Sequence, residues 1–185
     1  TKGMYVQASN GGEASMTVSA GKVKATGNDS EDYGVDVRAW QGYSDDAKGG
    51  KVEVTVNGEV ESNRGGARVY VEGASEADVY LNSNVTAEKG SGIFVYAEGD
   101  GAVANVEAGN VTSNGSSSSG LNVVAKEGSN ISVVAEDVTS ADAGLSLKVD
   151  KGASADIFID GTLSGKYCGV SESVNGEAPL TVWKL

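Results

Sequence analysis

The chain contains no histidine, one cysteine and one proline among its 185 residues. Without histidine it lacks the commonest general base at neutral pH and the commonest nitrogen ligand for a metal. A lone thiol, Cys168, excludes an internal disulfide framework and a cysteine zinc cluster. With no histidine to activate it, that thiol reads as inert rather than nucleophilic. One proline beside 27 glycines argues against a proline-rich disordered linker and for many tight turns that need positive φ. Aromatic residues are only 6% of the chain, and no apolar run approaches the length of a membrane-spanning helix. The chain opens at Thr1 without a signal-peptide pattern, as a mature protein or an excised fragment would.

Positive charge is scarce too. Lys and Arg number 14 against 26 Asp and Glu, a formal net charge of −12. Such a balance disfavours nucleic acid and anionic membrane as partners, since both are polyanions. It suits a soluble surface, and equally one that binds calcium weakly.

What the chain does have is a repeat. A glycine followed by alternating apolar residues recurs at Gly3-Met4-Tyr5-Val6, Gly34-Val35-Asp36-Val37, Gly66-Ala67-Arg68-Val69 and Gly92-Ile93-Phe94-Val95. It returns at Gly120-Leu121-Asn122-Val123, Gly144-Leu145-Ser146-Leu147 and Gly169-Val170-Ser171-Glu172. The glycines stand 31, 32, 26, 28, 24 and 25 residues apart. Two more segments keep step. One reads Met16-Thr17-Val18, Val54-Thr55-Val56, Val79-Tyr80-Leu81, Ile131-Ser132-Val133, Ile157-Phe158-Ile159 and Leu180-Thr181-Val182, with Val103 to Val106 filling the slot less cleanly. The other has one large and one small inward residue, as in Val60/Ser62 and Val138/Ser140.

Period-2 alternation says strand, and no segment has helical periodicity. A unit of three strands, two short and one longer, cannot bury its inner face alone, whereas stacked units can. We therefore expect an all-β fold: a single-stranded, right-handed parallel β-helix of about seven coils, roughly 25 residues each, with three strands per coil. One such domain should span 1–185. Val35, Ala67, Ile93, Leu121 and Leu145 should form a ladder inside it.

The pattern resembles right-handed parallel β-helix repeat proteins, and among them the adhesin-like surface proteins of bacteria with GxVxV and NVT-type coils. The resemblance covers nearly the whole chain and bears on fold more than on function. It implies an extracellular or cell-surface module, not an enzyme, whose partner is a glycan or a host or matrix protein. The alternative is a carbohydrate-binding β-helix, and, because polysaccharide lyases and pectin-degrading hydrolases resemble the same fold, an enzyme is the third reading to weigh. Neither end shows a capping helix, so the expected fragment belongs to a longer array, or associates end to end.

Two places could carry binding. Outward residues of the long strand place Arg38, Arg68, Tyr70, Phe94 and Tyr96 in an aromatic-basic patch able to stack on sugar rings. The competing reading is that these rings stack on neighbours one coil away, or lie beneath a loop. Longer turns at 26–33 and 40–50 are the second place, because insertions in solenoids bear function. Trp40 and Tyr43 are the aromatic contacts there. Asp29, Glu31, Asp32, Asp45 and Asp46 are oxygen donors that could hold calcium, although neither turn matches an EF-hand. Asp36, Glu53, Glu61, Glu107 and Asp160 look too scattered for a catalytic set. The Asn-x-Ser/Thr triplets at Asn84, Asn110 and Asn130 arise from the repeat itself.

Overall fold

A computed structural model describes residues 2–42 and 47–175, and the backbone of 180–184. Tyr43, Asp45, Asp46 and Pro179 lie outside the described residues. Among the described residues there is no helix. The chain winds through β1 (Met4–Ser9), β2 (Glu13–Val18) and β3 (Lys22–Ala25), then β4 (Tyr33–Trp40), β5 (Lys51–Val56) and β6 (Glu59–Ser62). Next come β7 (Gly65–Glu72), β8 (Glu76–Leu81), β9 (Val85–Ala87), β10 (Ile93–Glu98), β11 (Val103–Ala108) and β12 (Val111–Ser113). The course continues with β13 (Leu121–Lys126), β14 (Asn130–Ala135), β15 (Val138–Ser140), β16 (Ala143–Val149), β17 (Ser154–Ile159) and β18 (Leu163–Gly165). It closes with β19 (Cys168–Val174) and β20 (Leu180–Lys184).

Every third strand pairs, always in parallel. The first sheet runs β1-β4-β7-β10-β13-β16-β19, the second β2-β5-β8-β11-β14-β17-β20, and the third β3-β6-β9-β12-β15-β18. The result is a right-handed parallel β-solenoid. It makes about six turns at a spacing of about 27 residues, not seven coils of 25. Seven glycine-led segments bound only six intervals. Each turn also has two long strands and one short one, because most second-sheet strands start three residues before their apolar triplet, as Lys51 does before Val54 and Ser154 before Ile157.

The core is a set of ladders. Val35, Ala67, Ile93, Leu121 and Leu145 pair in succession and are wholly buried, as expected. Sequestering a Val, Ile or Leu side chain contributes roughly 1.5–3 kcal/mol, and each ladder repeats that gain rung by rung. One expected alignment slips. Val133-Val134-Ala135, not Ile131-Ser132-Val133, pairs with Ile157-Phe158-Ile159. A shift of two residues leaves the inward face inward, so alternation alone does not distinguish the two registers.

The recurring glycine has a cause other than turn geometry. Gly34, Gly66, Gly92, Gly120 and Gly144 do not have positive φ. A Cβ on any of them would sit 2.3–2.8 Å from the carbonyl oxygen of the next rung's glycine. It would also sit 2.5–2.8 Å from a terminal methyl of Val60, Val85, Val111, Val138 or Leu163. Close approach at the corner between the third and first sheets excludes every side chain there. Positive φ belongs instead to turns elsewhere, mostly between the first and second sheets, at Gly73, Gly99, Gly128 and Gly152, and once between the second and third, at Gly21. Serines close the other side of the glycine corner: Ser113 Oγ donates to the Gly90 carbonyl at 2.9 Å and Ser140 Oγ to that of Ser118 at 2.7 Å. No buried side-chain polar atom among the described residues lacks a partner, as a well-packed interior requires.

Candidate binding face

Alternation turns every second residue of the first sheet outward, and register sorts them into three columns. Asp36, Arg68, Phe94 and Asn122 form the first, and Arg38, Tyr70, Tyr96 and Val124 the second. Trp40, Glu72, Glu98 and Lys126 form the third. Outward alternation in the sequence predicts the first two columns and not the third, and what covers them differs along the face.

At the first column the turn 26–33 folds down over the strands. Asp36 is wholly inaccessible and Arg68 only 6% exposed, although both point out of the sheet. Arg68 grips Asp36 in a two-pronged pair, Nε to Oδ1 and Nη2 to Oδ2, both 2.8 Å. Its Nη1 donates to Glu31 at 2.6 Å, and its guanidinium lies 4.6 Å from the centre of the Tyr33 ring. Lys2 reaches the same Asp36 carboxylate, and Arg38 spans Glu31 and Asp36 at 3.2 and 3.4 Å. Burial pushes the Asp36 carboxyl up, yet the hydrogen bonds from Arg68 and Lys2 outweigh it and hold the group below its usual range. Arg68 holds Glu31 down likewise. Burial opposes the charge of Arg68, but its two carboxylates hold it more firmly protonated than usual. These groups form a charge clasp that ties the 26–33 turn and the chain's first residues to the solenoid wall.

The acidic turn is therefore engaged internally. Asp32 Oδ2 accepts from the Asp29 amide at 2.9 Å, Glu31 serves the arginines, and Asp29 faces solvent. The three carboxylates do not converge. Among the described residues no group of three His, Cys, Asp or Glu side chains gathers as a metal would require.

The second column is open and aromatic. Tyr70 and Tyr96 stack with ring centres 4.8 Å apart and planes 4° from parallel, and Phe94 tilts against Tyr96 at 6.4 Å. The separation matches the distance between neighbouring strands, so the sheet itself imposes the stack. Tyr96 donates to Glu98, and Lys126 lies over its ring at 5.1 Å. One face of Tyr70 is thereby covered, and the other turns toward the rung of Arg38. There an open groove of about 340 Å³ is lined by Gln7, Arg38, Trp40, Tyr70 and Glu72. Tyr70 donates its hydroxyl to Glu72. Burial first, and then that hydrogen bond, push the phenol well above its ordinary value, so it stays a donor.

Of the sequence candidates, the structure gathers Arg38, Trp40 and Tyr70 round one groove. Arg68 is taken into the clasp, while Phe94 and Tyr96 stand further along the face. Gln7 and Glu72 complete the groove beyond the sequence candidates, and the register of Gln7 with Arg38 and the i+2 spacing of Glu72 from Tyr70 mark both. On the other sheets, Glu61 pairs with Lys22 and Lys24. Glu107 and Asp160, read as scattered, meet at one hollow of the second sheet. No family model matches the chain, nor does any curated protein or solved structure.

Proposed function

We propose that this chain is a non-catalytic structural and adhesive module of a bacterial surface protein, displayed outside the cell, that contacts a glycan through the groove of the first sheet. One observation carries the reading. An aromatic ring and an indole share a shallow, solvent-open groove with a guanidinium, an amide and a carboxylate. Sugars are recognised in that way, through C–H faces packed on rings and hydroxyls held by planar polar groups. The stiff ladder core beneath fixes the positions of these side chains, so little order must be gained on binding. Acidic residues elsewhere on the surface suit a display role by limiting adhesion to polyanions.

The test is a glycan array followed by calorimetry on the best hit. Tyr70→Ala and Trp40→Ala should each weaken binding at least about tenfold, as loss of an aromatic contact of this kind does. Tyr167→Ala, far along the chain and 70% exposed, should change nothing. Equal binding by Tyr70→Ala and the unmodified chain would remove this groove from consideration.

A further inference from the structure

The outward face of the second sheet holds a surface of different chemistry. Register places Tyr80, Glu107, Val134 and Phe158 in one column on β8, β11, β14 and β17. Tyr80 is 36% and Val134 39% exposed, so apolar side chains stand in solvent one strand apart from a carboxylate. Beside them lies an open hollow of about 280 Å³, bordered by Val134, Phe158, Glu107, Glu136 and Asp160. No ion pair or side-chain hydrogen bond to a described residue occupies Glu107, Glu136 or Asp160. Elsewhere on this protein acids with basic neighbours do pair, as Glu76 does with Lys51 and Glu61 with Lys22.

We propose that this strip docks an extended basic segment of a partner protein. Its aliphatic groups would lie over Val134 and Phe158, and its lysine or arginine heads among Glu107, Glu136 and Asp160. Charge complementarity selects that occupant. Three carboxylates with no ion pair among the described residues, beside an apolar wall, match a side chain with an aliphatic stem and a cationic head. A neutral glycan supplies no cation, and an anionic membrane is repelled. A second copy of this chain brings a formal charge of −12 of its own. Size agrees as well: two rungs separate Glu107 from Phe158, about 10 Å, within the roughly 13 Å over which side chains i to i+4 of an extended peptide reach. The surface is independent of the glycan groove, and either can fail without the other.

The probe is a short synthetic peptide with lysine and valine alternating at odd positions and serine between them. Its binding to the full chain is measured by calorimetry and by amide chemical-shift mapping. Shifts should cluster on β11, β14 and β17, and Glu107→Gln with Glu136→Gln should weaken binding at least tenfold. Val134→Asn, a change on the exposed face, should do the same without altering the thermal midpoint. The control pair Glu53→Gln with Asp78→Asn, in an acidic trough on the same sheet, should leave affinity within twofold. Equal loss from both pairs, or equal binding of a peptide with serine for valine, would reduce the effect to general attraction and overturn the proposal. So would absence of peptide binding, a glycan hit lost on Phe158→Ala, or a dimer that dissociates in the Glu107→Gln, Glu136→Gln protein.

Discussion

Replacing Asp36 by Leu should destabilise the first turns of the solenoid far more than an outward strand position ordinarily would. The carboxylate is fully buried and accepts both prongs of Arg68, with Lys2 and Arg38 beside it. Breaking a buried pair by removing one partner costs about 3–5 kcal/mol, because the other charge stays desolvated. Here Glu31 still receives Arg68 at 2.6 Å but is itself 64% exposed, so the lower end, about 3 kcal/mol, applies. Arg68→Met should cost less, about 2 kcal/mol, since Asp36 keeps Lys2 and Arg38. The double variant replaces the pair with apolar groups of similar size and should recover most of the loss, giving a coupling of at least about 2 kcal/mol. For a chain of this size the single Asp36 change corresponds to a fall of roughly 6–12 °C in midpoint. Solenoids unravel locally, so amide exchange should quicken in β1, β4 and β7 while β13 to β17 keep their protection. Purely additive effects in the double variant, or an even loss of protection along the solenoid, would show that the clasp does not hold this end.

Acid should release the same clasp. Asp36 and Glu31 have folded values held below their unfolded ones, so their contribution is complete above about pH 5 and fades as pH falls through the unfolded and then the lowered folded values. Urea midpoints taken across that range should drop less steeply for Asp36→Leu than for the unmodified chain. Gly92→Ala should cost about 1–3 kcal/mol by overpacking, since its Cβ would meet the Gly120 oxygen at 2.7 Å and a Val111 methyl at 2.5 Å; thermal unfolding with a midpoint unchanged would refute the close-approach account. Leu145→Ala, wholly buried, should cost about 2–5 kcal/mol, with faster exchange in β13, β16 and β19 first.

The repeat was legible because each ladder residue has the same neighbours one turn away, so the same side-chain type suits every rung. Period and outward columns follow from that. What alternation does not carry is tertiary cover. Asp36 and Arg68 alternate as outward residues, yet a turn folded over them buries both, Asp36 as completely as the inward ladder. The glycine ladder misleads in a similar way, since a sequence does not distinguish a residue chosen for its φ from one chosen for its lack of Cβ. The hollow at Glu107 and Asp160 joins residues two rungs apart, visible only once β14 takes its register, and that register was the one alternation left ambiguous.

The parallel ladders also determine how the molecule would behave as a tether. Their hydrogen bonds run along the solenoid axis, so tension between the two ends pulls rungs apart one after another instead of shearing a whole sheet at once. Each turn stores about 27 residues in a height of about 4.8 Å and, once peeled off, pays out roughly 90 Å of extended chain. Such a body would act as a spool, lengthening in steps under load, with the charge clasp over the first rungs adding to the force needed to unwind that end.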